Sequence, residues 1–194
     1  MKTVLLGILC GVSCSAVAAP IAVSKDNGVE ISVQDGKTKI SVPAEAKKAL
    51  AQWNPEFLVF DLKDYGSSVV SLVKEVEPSG VPMAFIADFD NNGEKDIVLL
   101  GADLSQQYAV ALTKSGSGWK AVEIQKWKIS NIEKTVTKNE NKQKEVGIPL
   151  YVIPAQDEHA KKLGKSTGIQ IESYMGTASV YEIKDGKAEQ VILK

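Results

Sequence analysis

Apolar and polar residues alternate near the start of the chain in a way that predicts a β-hairpin. Residues 29–42 read V-E-I-S-V-Q-D-G-K-T-K-I-S-V, and the Asp35-Gly36 pair in the middle is a two-residue turn. That turn sets a register in which apolar residues face one another across the strands, with the pairs Val33–Thr38, Ile31–Ile40 and Val29–Val42. Register and apolar face agree, so the hairpin is predicted over the whole segment.

Helical spacing follows the hairpin. Pro43 is suited to open a helix, and the apolar positions that follow have spacing i, i+3, i+4 and i+7, at Ala46, Ala49, Leu50 and Trp53. Asn54-Pro55 is expected to end this helix, because the residue before a proline avoids the helical region. A second helical spacing occurs at Val69, Leu72, Val73 and Val76, although its β-branched residues also suit a strand.

The rest of the chain is dominated by strand patterns. Predicted strands cover 57–62, two short apolar runs at 83–86 and 97–100, 108–113, 119–124, 148–153, 168–173, 177–183 and 188–193. Residues 130–147 are polar and rich in Lys and Asn, which predicts an exposed excursion. The sequence therefore predicts an α+β fold, mainly an antiparallel β-sheet with one or two N-terminal helices.

The segment between the runs at 83–86 and 97–100 carries the main candidate chemistry. Residues 88–96 read D-F-D-N-N-G-E-K-D, so oxygen-bearing side chains fall at alternate positions before a glycine that permits a sharp turn. The candidate ligands of one Ca²⁺ are the side chains of Asp88, Asp90, Asn92 and Asp96 together with the backbone carbonyl of Glu94. Carboxylates this close repel one another without a cation.

The loop begins like an EF-hand, but its twelfth position is Leu99 instead of the bidentate Glu that closes an EF-hand site. Its flanks also suit strands better than long helices. Residues 84–101 resemble a single FG-GAP/VCBS-type calcium hairpin of the integrin-α kind, with the pattern D-x-D-x-N-G-x-x-D. The resemblance implies a calcium-binding β-hairpin loop and covers no other part of the chain.

A second interpretation of the same residues stays open. Asn and Gly are typical turn residues, and the acids of an ordinary hairpin turn are simply solvated.

In the metal-binding interpretation, Asn at position 92 lowers the charge of the ligand set, which favours a weak site suited to calcium-rich surroundings. The metal would then stabilise the fold instead of acting as a sensor.

The N-terminus predicts export. A short positive start, a brief apolar stretch and an A-x-A motif ending at Ala18 are typical of a signal peptide over residues 1–18. A single extracytoplasmic domain is then expected over residues 19–194, in the bacterial periplasm or secreted. Cys14 leaves open a lipid anchor as the less favoured alternative, and no transmembrane segment is predicted.

Charge and composition narrow the function. The chain has 23 basic and 24 acidic residues, and every basic residue is a lysine. A nearly neutral chain without arginine disfavours nucleic acid as a partner and phosphoryl-transfer chemistry. Both cysteines, Cys10 and Cys14, lie in the predicted signal peptide, so thiol chemistry is not expected.

Enzyme signals are weak. The chain has one histidine, His159, in a polar stretch, and Ser71 with Lys74 matches S-x-x-K without the other motifs of that enzyme class. No catalytic residue is predicted. The sequence favours an exported calcium-binding protein that acts as a non-enzymatic binding module with a protein partner in the periplasm, a class that includes inhibitors and immunity proteins. The alternative is a secreted metal-dependent hydrolase with an unrecognised active site.

Overall fold

A computed structural model describes residues 21–26, 28–34, 37–128, 135–138, 144–156, 160, 163, 167–174 and 176–191. Two helices and fourteen strands have bounds in these ranges: β1 (Ile21–Asp26), β2 (Val29–Gln34), β3 (Lys37–Ser41), α1 (Ala44–Trp53), β4 (Leu58–Val59), α2 (Ser67–Val76), β5 (Ala84–Ala87), β6 (Asp96–Ala102), β7 (Gln106–Ser115), β8 (Gly118–Lys128), β9 (Thr135–Lys138), β10 (Lys144–Gly147), β11 (Leu150–Pro154), β12 (Ile169–Ser173), β13 (Ala178–Lys184) and β14 (Lys187–Gln190). The predicted signal peptide at 1–18, Cys14, the Asp35-Gly36 turn and His159 lie outside the described residues.

The α+β prediction is confirmed. Every strand pairing in the described ranges is antiparallel. The N-terminal sheet has the order β1-β2-β3, and its second hairpin has the predicted pairs Val33–Thr38 and Ile31–Ile40. The ladder ends at Glu30–Ser41, one position before the expected Val29–Val42 pair. Strand β1, which the pattern analysis did not predict, pairs with the other edge of β2.

Both helical spacings form helices. In α1, Pro43 occupies the N-cap position and its carbonyl accepts the Lys47 N–H at 3.0 Å, while Asn54 ends the helix as predicted. The apolar face of α1 packs on the central sheet through Ala46, which is fully buried. Helix α2 buries Val69 and Val73, so the helical spacing outweighs the β-branched character of the segment.

The central sheet has the order β4-β6-β7-β8, and β5 pairs with β6 on the same side as β4. Strand β5 pairs with the start of β6 and β4 with its end. The structure limits the strand predicted at 57–62 to the two residues of β4, because a 3-10 turn at Leu62–Asp64 follows. The approach of β4 requires a glycine at position 101, where a Cβ atom would lie 2.3 Å from the Leu58 carbonyl oxygen.

A second sheet, β11-β12-β13-β14, lies against the central sheet at both of its edges. Strand β11 contacts β5, and β14 contacts β8. The Val152 N–H donates to the Pro82 carbonyl at 2.9 Å at the first of these edges, and Lys120 Nζ donates to the Gly186 carbonyl at 3.1 Å at the second. The apolar side chains of β6, β7, β11 and β12 are buried in one continuous core.

The polar segment 130–147 contains regular structure that its composition did not predict. Strands β9 and β10 pair as a hairpin, with Val136 opposite Val146. The remaining positions of the segment lie outside the described residues, as do the side chains of 135–138 and 144–146. The hairpin is followed by Gly147 and Ile148, both buried, and the Ile148 N–H donates to the Asp64 carbonyl at 2.8 Å.

Candidate metal centre

The candidate loop connects β5 to β6, as the flanking apolar runs predicted. Two of its residues have left-handed backbone angles, Asn91 with φ 58° and Gly93 with φ 85°. A Cβ atom on Gly93 would have no neighbour within 4 Å, so the backbone angle and not a lack of space favours glycine there. These two residues make the sharp turn that folds the loop back on itself.

Three carboxylates converge inside this loop. One oxygen each from Asp88, Asp90 and Asp96 lies within 4.8 Å of the other two. Two oxygens on opposite sides of one Ca²⁺ are about 4.6 to 5.2 Å apart, since each Ca–O distance is about 2.3 to 2.6 Å. The spacing of the three oxygens is therefore suited to a single metal ion shared among them.

Asp96 is the buried member of the group, with no exposed surface. Its Oδ2 accepts the Phe89 N–H at 2.9 Å and its Oδ1 accepts the Lys114 N–H at 2.8 Å. Burial raises the pKa of Asp96 to about 6, and the charges of Asp90 and Asp88 act in the same direction, while the two N–H donors oppose the rise. Each carboxylate oxygen has a second lone pair, so these hydrogen bonds leave acceptor capacity for a cation.

The other two carboxylates are held by the backbone of the loop itself. The Asn92 N–H donates to Asp88 Oδ1 at 3.1 Å and to Asp90 Oδ1 at 3.2 Å, and the Gly93 N–H donates to Asp88 Oδ2 at 2.9 Å. Burial is the main cause of a raised pKa at Asp90, and the nearby charge of Asp88 adds to it. The loop therefore holds three acids in place although their ionised forms repel one another.

The side chains of Asn92 and Glu94 have other partners in this structure. The Asn92 side-chain amide donates to Asp90 Oδ2 at 3.1 Å and to the Lys114 carbonyl at 2.5 Å, while its oxygen accepts the Glu94 N–H at 2.7 Å. Glu94 pairs with Lys114 Nζ at 2.8 Å and accepts the Gly116 N–H at 2.6 Å. Both contacts lower the pKa of Glu94, and the hydrogen bond from Lys114 has the larger effect. The ligand roles of Asn92 and Glu94 stay predictions.

Two residues far from the loop in sequence connect it to the rest of the fold. Lys114, at the end of β7, contacts Asp96, Asn92 and Glu94 through its N–H, its carbonyl and its ammonium group. Thr167, just before β12, donates its N–H to the Asp88 carbonyl at 3.1 Å. These partners are distant in sequence, so no local pattern could have indicated them. The loop consequently contacts the central sheet and the segment that leads into β12 of the second sheet.

The remaining sequence candidates do not gather at this loop. Ser71 and Lys74 are exposed on α2, and the described structure gives neither of them a contact with the carboxylates. Across the part of the chain that the structure describes, no helix combines the length and the apolar character needed to cross a bilayer.

The chain matches no protein-family model, no curated protein and no solved structure. The resemblance of residues 84–101 to the FG-GAP/VCBS hairpin therefore depends on the pattern of the loop alone. What the structure adds is the convergence of Asp88, Asp90 and Asp96, a group that could hold a metal ion.

Proposed function

We propose that this protein is an exported calcium-binding protein whose loop at residues 88–96 holds one Ca²⁺ and stabilises a non-enzymatic binding module. One observation carries the proposal, namely that the carboxylates of Asp88, Asp90 and Asp96 lie within one ion's reach of each other. Hard oxygen ligands of this kind suit Ca²⁺ or Mg²⁺ better than soft metals. The number of oxygens in the loop favours the larger ion, because Mg²⁺ requires a tight octahedron and keeps most of its water.

Two features support a structural role for the ion. Two residues of the group accept a backbone N–H from outside the loop. The Asp88 carbonyl accepts the Thr167 N–H, and the Asp96 carboxylate accepts the Lys114 N–H. A cation bound between these acids would screen their repulsion and hold the β5–β6 loop against β7 and the segment before β12. Calcium would then stabilise contacts between the two sheets as well as the loop.

Thermal unfolding tests the calcium site. The wild-type protein is melted with chelator, with millimolar Ca²⁺ and with millimolar Mg²⁺. At a calcium concentration about a hundredfold above the dissociation constant, binding to the folded state alone adds about 2.7 kcal/mol. For a chain of this size the melting temperature should rise by roughly 5 to 10 °C. Mg²⁺ should raise it less.

Matched variants locate the effect. Asp90→Ala should remove most of the calcium-dependent increment, whereas Glu75→Ala, which removes an exposed acid on α2, should keep it. Calorimetric titration should give one Ca²⁺ per chain. An identical wild-type melting temperature in chelator and in calcium would reject the site and leave the loop as an ordinary turn.

The proposal of export depends on residues 1–18, with their apolar stretch and A-x-A motif. We expect the chain recovered from the bacterial periplasm or culture medium to begin at Ala19 and to carry no lipid. Intact-mass analysis measures both properties. A mass that corresponds to an acylated N-terminus at Cys14 would contradict this expectation and show a lipid-anchored protein.

A further inference from the structure

A second acidic surface lies at the opposite end of β6 from the calcium loop. It is a groove between β4 and the turn that joins β6 to β7. Two leucines line it, Leu58 with 75% and Leu104 with 90% of its surface exposed. Val76, at 37%, is the one other exposed large hydrophobic residue in the described ranges, and it is much less exposed than either leucine. Exposed apolar side chains gathered at one place are typical of a binding surface.

The groove also has a strong charge imbalance. Four carboxylates line it, from Glu56, Asp61, Asp64 and Asp103, against one ammonium group from Lys63. The ion pair of Lys63 with Asp61 is long, at 3.8 Å, and the lysine side chain is 70% exposed, so it offsets little of the charge. A surface with this excess of negative charge attracts a partner with positive charge.

The charge of Asp103 is fixed by its hydrogen bonds. The Ser105 N–H, the Tyr108 hydroxyl and the Gln106 N–H donate to it at 2.7, 2.7 and 2.8 Å, and they hold its pKa well below the ordinary value. Asn54 Nδ2 donates to it as well, at 3.0 Å. All of these donors are neutral, so Asp103 stays ionised and its negative charge is oriented but not cancelled.

Strand β4 gives this groove a free edge. It is the last strand on its side of the central sheet, and within the described residues it pairs with β6 only. An unpaired strand edge can accept an extended chain from another molecule through backbone hydrogen bonds. In this binding mode the side chains of alternate residues of the added strand provide specificity.

We propose that the groove binds an extended segment of a partner protein that adds to β4 as a strand, inserting apolar side chains between Leu58 and Leu104 and placing lysines or arginines against the carboxylates. This deepens the proposed function, since it rests on the protein being a binding module and names the chemistry of its partner. The groove and the calcium loop share no residue, and the length of β6 separates them.

Defined peptides test the proposal on the full mature chain. The probe is a capped seven-residue peptide that alternates lysine with leucine and valine. One control peptide has glutamate in place of each lysine, and another keeps the lysines but has serine in place of each apolar residue. We expect calorimetric binding of the first peptide only, weakening as salt concentration rises, with slower amide exchange in the complex at Val59, whose N–H faces away from β6. No binding of the first peptide, or equal binding of all three, would overturn the proposal.

Paired variants then assign the site. Leu104→Ser and Glu56→Gln alter exposed groove residues, and Leu104→Ser should weaken binding about tenfold, as expected for the loss of one buried leucine contact. Val76→Ser and Glu75→Gln alter exposed residues of α2, outside the groove, and should leave binding unchanged. Equal weakening by the groove and control variants would contradict the assignment.

Two further measurements separate this proposal from its competitors. Asp90→Ala should lose the calcium-dependent melting shift and retain peptide binding, so that failure of the calcium site and failure of the groove give different results. Sedimentation of the wild-type chain tests self-association, in which a second copy of the chain would occupy the groove. A dimer that Leu104→Ser dissociates would overturn the proposal in favour of a second copy as the occupant.

Discussion

The two ends of β6 are both acidic but have different local chemistry. At the start of the strand, Asp96 is buried and lies with Asp88 and Asp90 around one small volume. Just past its end, Asp103 lies in an open groove beside two exposed leucines. The two ends are about 20 Å apart, given a rise of about 3.3 Å per residue along a strand. Acids that converge suit one small cation, whereas acids spread along an apolar groove suit a larger basic partner.

The opposite pKa shifts of Asp96 and Asp103 have clear physical causes. Burial dominates at Asp96 and raises its pKa to about 6, although two N–H groups donate to it. At Asp103 hydrogen bonds dominate, from two backbone N–H groups and the Tyr108 hydroxyl above all, and its pKa falls well below the ordinary value. In the metal-free protein Asp96 therefore keeps its proton up to a higher pH than an ordinary carboxyl group, while Asp103 keeps its charge.

Of the substitutions at the two ends of β6, Asp96→Ala is expected to have the largest effect. The substitution leaves the N–H groups of Phe89 and Lys114 without their acceptor in a region where Asp96 is fully buried. We expect the free energy of unfolding to fall by about 3 kcal/mol, since each hydrogen bond to a charged group contributes about 1.5 kcal/mol or more. Urea denaturation in chelator measures the change. A loss no larger than that of Glu75→Ala would show that Asp96 does not hold the loop.

The next effect is a pH dependence carried by Asp96 in chelator. Its folded-state pKa of about 6 is above the ordinary value of 3.8, so the folded state binds more protons than the unfolded state between these values. The contribution of Asp96 to the free energy of unfolding is complete below pH 3.8 and is lost as the pH rises through 6. The loss between pH 4 and pH 6 is about 2 kcal/mol. The raised pKa of neighbouring Asp90 has the same sign.

Urea denaturation of the wild type and of Asp96→Asn, each at pH 4 and pH 6, measures this contribution. The free energy of unfolding of the wild type relative to that of Asp96→Asn should be lower at pH 6 than at pH 4, because only the wild type loses stability by ionisation of Asp96. Saturating Ca²⁺ should abolish or reverse the trend, since the ion favours ionised carboxylates. A difference that is independent of pH would show that Asp96 titrates near its ordinary value.

The smallest expected effect is at the other end of the strand. In Asp103→Asn an NH2 group replaces one carboxylate oxygen, and the Asn54 Nδ2 donor on that side then loses its acceptor, while the Tyr108 hydroxyl can turn to accept instead. We expect the melting temperature to fall by about 2 to 4 °C, less than for Asp96→Ala, because the site is open to water. Asp185→Asn is the matched control, since Asn tolerates the left-handed angle of φ 50° at that exposed turn. Equal melting temperatures for the two variants would show that the carboxylate of Asp103 does not stabilise the fold.

Local patterns were sufficient to predict much of the fold. The Asp35-Gly36 turn gave two pairs of the β2–β3 ladder, because a two-residue turn leaves little freedom in the register. The convergence of Asp88, Asp90 and Asp96 followed from their spacing around Gly93. The contacts of Lys114 and Thr167 with the loop could not be predicted, since they arise from packing between distant strands.

The other end of β6 was missed for a related reason. The chain between 57 and 62 is apolar enough for a longer strand, but Asp61 and Asp64 cap a 3-10 turn that ends β4 early. That turn and Gly101, which admits β4 close to β6, create a groove that no single segment encodes. The acidic loop could be predicted because its residues are contiguous in sequence, whereas the acidic groove could not because its residues come from separate segments.

The Asn92-Gly93 pair in the loop has a consequence for chemical ageing. Asn-Gly is the dipeptide that deamidates most readily, because glycine leaves its own backbone nitrogen free to attack the asparagine side chain. Here the Gly93 N–H donates to Asp88 Oδ2, and the Asn92 NH2 group donates to Asp90 Oδ2 and to the Lys114 carbonyl, so the attacking nitrogen and the side chain that it would attack are both held in place. The folded loop should therefore slow its own deamidation, and each transient opening exposes the protein to a change that converts Asn92 into an additional carboxylate beside the other three.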